Sequence, residues 1–465
     1  MSSGMPQRRQ RNKLPERETI YALSSGRGRA GVSVIRLSGP EVMAAILTLT
    51  RKQKPPVPRE ACLCWFFDPE TDARLDQGLL LYFPAPKSFT GEDVAEFHIH
   101  GGRAVIAGFL SALSGLPGLR AANPGEFTRR AFDNGKMDLT AAEGLADLIN
   151  SETEAQRRQA LRLMDGRLAG LYEGWRTEII AAMAHIEADI DFADEEIPDD
   201  VTAQVLPQVE ELIKKITRHM GDGFKGERIR DGLQVVILGE PNIGKSTLLN
   251  FLSKRDVAIV SDIAGTTRDV LEVHLDMDGF PVTIADTAGL RDSGDVIEIE
   301  GIHRAEKRAR AADIKIILLD AATWPTIPDR LKDQIDQNTI ILLNKADLCP
   351  TPKADMEKHA PPSIAVLIIS AKTESGLDSL LSTLSIEVEK RMELSDAPNL
   401  TRVRHREALT ESLTHLQRFS DSPHKQEELL AEDLRMAARN LGAITGRVDV
   451  EDILDKIFTE FCIGK

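Results

Sequence analysis

Cysteine is scarce in this chain, with four residues among 465: Cys62, Cys64, Cys349 and Cys462. These are too few and too scattered for a disulfide framework, and Cys62-Leu63-Cys64 lacks the spacing and companions of a zinc site, so a reducing compartment is expected. Long apolar runs are missing as well. No stretch approaches the roughly 18 residues that span a bilayer, and the N-terminus has no apolar core of the secretory kind, which argues against a membrane protein and for the cytoplasm. Positive charge is not in excess either: 58 Lys and Arg stand against 73 Asp and Glu, a formal net charge of −15. Nonspecific adhesion to nucleic acid over the whole surface is disfavoured, although a local basic patch or a partner protein can still bring RNA to the chain.

The composition is that of globular proteins, with 42% hydrophobic and 28% charged residues, and the length implies two to four domains. Residues 1–17, "MSSGMPQRRQRNKLPER", are Arg-rich like a transit peptide, but Pro6, Pro15 and the lack of an apolar face favour a disordered basic tail. Residues 18–133 alternate short β-rich runs ("GVSVIRLSG", "GLLLYFPAP", "VAEFHIHGG") with Gly/Pro turns and read as an α+β domain. Residues 134–226 turn helical: Leu145, Leu148 and Ile149, then Leu161, Met164, Leu168 and Leu171, recur at three- and four-residue steps. Residues 387–465 behave likewise, with Ile453, Leu454, Ile457, Phe458 and Phe461 on one helical face.

Between the helical parts, residues 227–386 alternate apolar strands ("LQVVILG", "FPVTIAD", "DIKIILLD", "NTIILLN", "SIAVLIIS") with helix-length segments, the pattern of a parallel sheet wrapped by helices. The expected fold is multidomain, α/β plus α+β plus all-α, with the α/β unit inserted into a helical domain assembled from both flanks. The acidic run "DIDFADEEIPDD" lacks the glycine turn of a calcium loop and reads as a solvated segment.

Gly239, Gly244, Lys245 and Ser246 satisfy G-x-x-x-x-G-K-[ST] after a strand and before a helix. In that setting backbone N–H groups from Asn242 to Thr247, with Ile243 among them, cradle phosphates, Lys245 neutralises the β/γ oxygens and Ser246 offers a hydroxyl to Mg²⁺. "DTAG" (Asp286, Thr287, Ala288, Gly289) follows a strand whose terminal carboxylate can hold the metal through water. "NKAD" (Asn344, Lys345, Ala346, Asp347) supplies a carboxylate that accepts from both the ring N–H and the exocyclic amine of guanine, which selects GTP over ATP. "SAK" (Ser370, Ala371, Lys372) resembles the loop that closes over the base.

The segment "SDIAGTTRD" (with Ser261, Asp262, Ile263, Ala264, Gly265, Thr266 and Thr267) supplies the threonine hydroxyl that completes a Mg²⁺ shell and reads as a switch. Two parts of a GTPase are absent. Leu290 stands where many such enzymes place a water-orienting glutamine, so an acid downstream must act, and Glu298 is the choice, with Glu300 the alternative if the register shifts. No arginine finger is evident; Asn242 could instead hold a monovalent cation beside the phosphates, or serve only to cap the loop.

Together with "SFTGEDVAEFHIHGG", "NPGEFTRRAFDNGKMDLTAAEGLADLI" and the terminal "FCIGK", these motifs resemble the MnmE (TrmE) family of tRNA-modification GTPases, of the TrmE-Era-EngA-like superfamily, from about Glu18 onward. The resemblance implies an N-terminal folate-binding and dimerisation domain, a discontinuous helical domain and an inserted Ras-like P-loop GTPase domain. It also implies a homodimer that works with the FAD-dependent GidA (MnmG) subunit, in a heterotetramer or larger complex. Their joint product is a carboxymethylaminomethyl or aminomethyl group on carbon 5 of the wobble uridine of certain tRNAs, with the one-carbon unit drawn from a tetrahydrofolate derivative, 5-formyl or methylene. By motif match, Asn242, Ser261, Ile263 and Thr266 would surround K⁺, Ser246 and Thr267 would bind Mg²⁺, and Glu298 would orient water. Folate contacts would fall on Arg36, Glu96, Lys136 and Lys465, with Cys462 nearby; from the residues alone Cys462 reads as a buried small hydrophobe. Competing readings are a regulatory or ribosome-assembly GTPase without a role in the modification chemistry, and a folate or RNA carrier with a regulatory GTPase domain.

Overall fold

The computed structural model describes residues 18–26, 28–191, 201–221, 224–255, 257–259, 272–286, 310–349, 358–361, 364–392, 399–421, 426–448, 451–459 and 461–465. These fall into two compact units, one drawn from residues 18–146 with 445–465 and the other from 147–444.

The first unit is built on a six-stranded sheet: β1 (Thr19–Leu23), β2 (Ala30–Ser38), β3 (Cys62–Phe67), β4 (Arg74–Phe83), β5 (Val94–Gly101) and β6 (Leu119–Ala121), in the order β3-β4-β5-β2-β1-β6. All neighbours are antiparallel except β1 and β6. Side chains of a strand alternate between faces, so Phe97 and Ile99 of β5 go inward while Glu96, His98 and His100 take the other face. The inward face packs under helices Val42–Thr50 and Arg103–Ser114 around Phe66, Phe97 and Phe109, whose ring centroids lie 5.2–5.4 Å apart. On the opposite face Ile20 and Ala22 meet Phe127 of helix Glu126–Asp133. Helices Leu139–Ile149 and Glu451–Thr459 close the unit through Leu139, Ala142 and Ala146 against Leu454, Ile457, Phe458 and Phe461. The expected C-terminal apolar face is therefore present; the side chain of Ile453 lies outside the described residues.

In the second unit, helices Arg167–Asp191, Val201–Met220, Val403–Asp421 and Glu427–Thr445 share a core that includes Tyr172, Ile179, Val209, Leu416 and Leu434. The chain before and after the α/β insertion thus meets in one helical bundle. Leu161 and Met164 do not join that core as the spacing predicts, each being 37% exposed. The reason is a break: helix Glu154–Met164 ends at Asp165, and Gly166 turns left-handed at φ +72°, so Leu168 and Leu171 belong to a new helix with a new orientation.

The insertion is a second six-stranded sheet, β7 (Leu233–Gly239), β8 (Glu272–Met277), β9 (Phe280–Asp286), β10 (Ile314–Asp320), β11 (Thr339–Asn344) and β12 (Ala365–Ile368), in the order β12-β11-β10-β7-β9-β8. Every pair is parallel except the β8–β9 hairpin. Both faces are covered, which is why the strands read as continuous apolar runs: in β7, Val235 and Ile237 enter one core while Val236 and Leu238 enter the other. In such a sheet ligands bind beyond the carboxyl ends of the strands, and Gly239, Asp286, Asp320 and Asn344 all end theirs there. No helix among the described residues is long and apolar enough to cross a membrane.

Candidate active site

The phosphate loop leaves β7 at Gly239 and enters helix Lys245–Leu252 at Gly244. Both glycines are required by contact as well as by backbone angle. At Gly239 (φ +158°) a Cβ would lie 2.9 Å from the Leu318 carbonyl oxygen, and at Gly244 (φ +108°) it would lie 2.4 Å from Asn344 Nδ2. Asn242 also takes a left-handed conformation, φ +59°, with its side chain exposed at the loop surface.

Lys245 is buried, and its ammonium donates to the carbonyls of Gly239 and Glu240, both at 2.9 Å. The loop therefore folds around its own lysine and holds a positive charge at a helix N-terminus, where anionic phosphate is favoured. Ser246 and Thr247, on the first turn, are exposed. Asp286 ends β9 with 3% exposure.

The base-binding side is tied to this loop by Asn344. Its Nδ2 donates to the Ile243 carbonyl (2.7 Å) and its Oδ1 accepts from Ala371 N (2.9 Å), so one buried amide joins the phosphate loop, the end of β11 and the loop after β12. Asp347 is exposed, with Oδ1 held by Ser370 Oγ at 2.7 Å. Ala346 N donates to Ile369 O (3.2 Å), and Lys372 is exposed beside Ala371. The structure thus gathers Asn242 to Thr247, Asn344 to Asp347 and Ser370 to Lys372 at one edge of the sheet.

Ser261, Asp262, Ile263, Ala264, Gly265, Thr266, Thr267, Thr287, Ala288, Gly289, Glu298 and the Glu300 alternative lie outside the described residues, as do most of the acidic run and the basic tail. Asp320 is not among the residues that the motifs single out, although an aspartate closing the apolar run "IKIILLD" beside β11 is a visible signal. Its carboxylate accepts from Lys345 Nζ (3.0 Å) and from Ala322 N (3.0 Å).

A second polar cluster forms in the first unit. Arg36 of β2 and Glu96 of β5 are direct cross-strand partners on the face away from the aromatic core, with Arg36 Nε 3.0 Å from Glu96 Oε1. The guanidinium lies 5.4 Å from the Phe89 ring centroid and 5.9 Å from that of Phe127. The C-terminus comes to this pair because it is pinned: Ile463 bridges Pro124, Ser24 Oγ donates to the Gly464 carbonyl (2.9 Å), and Gly464 takes φ +99° with no room for a side chain against Leu23. Burial pushes the Lys465 ammonium below the ordinary lysine value, and the Arg36 cation adds to that, while Glu96 and Cys462 act the other way. Cys462 is exposed, not the buried hydrophobe that its place near a helix suggests, because helix Glu451–Thr459 ends before it. Lys136 stands beside Gly91, where a Cβ would lie 3.5 Å from its Cγ and Cε.

The cluster thus sets a guanidinium–carboxylate pair and a partly desolvated ammonium beside an aromatic ring.

A family model described as the MnmE helical domain matches residues 139–462, and one described as the GTP-binding protein TrmE N-terminus matches residues 19–136. The tRNA modification GTPase MnmE of Parvibaculum lavamentivorans is 55% identical over 96% of this chain and 100% of its own length. The protein of the same name from Paramagnetospirillum magneticum is 54% identical over 96% and 100%. A mitochondrial 5-taurinomethyluridine-[tRNA] synthase subunit, GTPB3 of Danio rerio, is 46% identical over 97% and 94%.

Proposed function

This chain belongs to the MnmE family of tRNA-modification GTPases, a GTP hydrolase acting in tRNA modification, and from that premise we propose that it couples a potassium-stimulated GTPase cycle to one-carbon chemistry on tRNA. The modification is the addition of a carboxymethylaminomethyl or aminomethyl group to carbon 5 of a wobble uridine, made with the FAD-dependent GidA (MnmG) partner. The protein works as a cytoplasmic homodimer with three domains: residues 18–133 for folate and dimerisation, 134–226 with 387–465 helical, and 227–386 for GTP.

The observation that carries the proposal is the convergence of Lys465, Arg36 and Glu96 in a unit separate from the GTP site. Two cations and one carboxylate can pair with a tetrahydrofolate derivative through its carboxylates and its pterin N–H groups, which gives the one-carbon unit a place apart from the nucleotide. At the GTP site Lys245 neutralises phosphate charge, Asp347 reads guanine, and Ser246 with Thr267 would hold Mg²⁺, whose role is to spread the charge of the transferring phosphoryl group. Asn242, Ser261, Ile263 and Thr266 would hold K⁺, and Glu298 would orient the attacking water.

Two measurements on the full-length protein test this reading. Isothermal titration with 5-formyltetrahydrofolate is expected to show saturable binding that Arg36→Ala and Lys465→Ala weaken. GTP hydrolysis is expected to be faster in K⁺ than in Na⁺ at equal ionic strength. Absence of folate binding would favour a regulatory GTPase in which hydrolysis only times assembly.

A further inference from the structure

Lys345 takes a left-handed backbone conformation, φ +64°, at the point where the chain turns from β11 toward Asp347. A lysine side chain has four rotatable bonds and no intrinsic reason to stay in one position. Here its ammonium is 3.0 Å from Asp320 Oδ2, while Asp320 Oδ1 accepts from the backbone of Ala322. The two oxygens of one carboxylate are thus divided between holding its own turn and holding Lys345. The same turn is joined to β11 a second time, by Ala321 N donating to the Asn344 carbonyl (2.9 Å). The Ala322 N–H, with the Lys345 ammonium, keeps the Asp320 carboxyl below the ordinary carboxylate range, so it is ionised at working pH.

We propose that Asp320 is a positioning residue for guanine recognition: it holds the Lys345 side chain in place as a wall of the base site before the nucleotide arrives. The proposal rests on the reading of Asn344 to Asp347 as the guanine site. In this reading Asp320 acts through Lys345. Its effect is on affinity, through a side chain that would otherwise have to be ordered on binding.

The test is titration of the full-length protein with GDP and XDP, and steady-state GTP hydrolysis, for Asp320→Ala, Asp320→Ser, Asp320→Asn, Lys345→Met, the Asp320→Ala/Lys345→Met double variant and Asp347→Asn. Serine keeps an acceptor for the Ala322 N–H but cannot reach Lys345, so it preserves the test if the alanine variant does not fold. Loss of one partly exposed charge-assisted contact is expected to weaken GDP binding about tenfold in the Ala and Ser variants and to raise KM for GTP at unchanged kcat. Asparagine has a single amide oxygen for two donors, the Lys345 ammonium and the Ala322 N–H, so it is expected to fall between the parent and the Ser variant, and the double variant to be no worse than Lys345→Met. GDP affinity within about twofold of the parent for the Ser variant, additive losses in the double variant, or a fall in kcat at unchanged KM overturns the proposal. Asp347→Asn separates the two readings: a shift of preference toward XDP upholds the guanine site whatever Asp320 does, and an unchanged preference removes the guanine assignment itself.

Discussion

Asn344 Nδ2 donates to the Ile243 carbonyl at 2.7 Å across 101 positions of sequence, and that single amide joins the loop that holds phosphate to the strand end that faces the base. With Oδ1 accepting from Ala371 N, both ends of the amide are engaged.

Asn344→Ala removes both bonds from a site with 3% exposure and leaves the Ile243 carbonyl and the Ala371 N–H without that partner. A loss of about 2–4 kcal/mol is expected from two buried hydrogen bonds, seen as a lower Tm and as GDP affinity reduced well beyond tenfold. A variant that binds GDP like the parent would show the strap to be redundant.

Potassium provides the second prediction. Asn242→Ala is expected to remove the excess of GTPase rate in K⁺ over Na⁺ while GDP affinity changes little, because the phosphate contacts come from backbone and Lys245. Glu298→Ala is expected to abolish hydrolysis in either salt and to leave nucleotide binding intact. Retained tRNA modification by that variant would favour a carrier with a regulatory GTPase domain.

Gly464→Ala tests how the terminus reaches the Arg36–Glu96 pair. A Cβ there would lie 2.3 Å from the Leu23 carbonyl oxygen, and φ +99° is strained for alanine. The last residue is expected to be displaced, with folate affinity lost, GTP hydrolysis retained and a Tm drop that reflects about 1–3 kcal/mol. Unchanged folate affinity would mean that Lys465 has no part in the site.

Lys465 also sets a pH dependence. Its folded pKa is lowered, chiefly by burial, so between that value and the ordinary 10.5 the unfolded chain holds more protons and stability rises with pH; the cost of the desolvated charge is complete below the folded value. Lys465→Met is therefore expected to leave the Tm of the unliganded protein at pH 7 unchanged or higher while weakening folate. Folate affinity of the parent is expected to fall on the alkaline side, as the ammonium loses its proton at a lower pH than a surface lysine does. A lower Tm for Lys465→Met would contradict this sign.

Much of the architecture was legible in the sequence, and the reasons are local. The runs "LQVVILG" and "TIILLN" are apolar on both faces because helices cover both faces, and Gly239 and Gly244 stand at fixed offsets because the backbone must turn there. Strand β8 has no such signature: "EVHLDM" is an edge strand with polar residues between its buried ones, and its pairing with β9 depends on the turn at Asp278–Gly279. The Arg36–Glu96 pair is invisible to any local pattern, since 60 residues separate its members and only the β2–β5 register brings them together. From the residues alone the two are ordinary strand positions, and it was resemblance that named them. Leu161 and Met164 misled because periodicity counts through a left-handed glycine that the chain does not pass straight.

The β8–β9 hairpin is fastened at its turn: the Gly279 carbonyl accepts from Ala155 N at 2.9 Å, at the first turn of helix Glu154–Met164. Ala155 is buried in the same core as Leu275, Met277 and Val282 of the hairpin. The far ends of these two strands are Glu272, just after the switch sequence, and Asp286, which opens "DTAG". One ribbon therefore has the nucleotide motifs at one extremity and helix Glu154–Met164, which precedes the bundle in the chain, at the other. Gln156 and Gln159 of that helix grip the carbonyls of Arg230 and Gly226, so it is held on two sides. The strand that ends at Asp286 and helix Glu154–Met164 are thus joined through the backbone, by one N–H to carbonyl bond and a shared apolar core, and not through a relay of polar side chains.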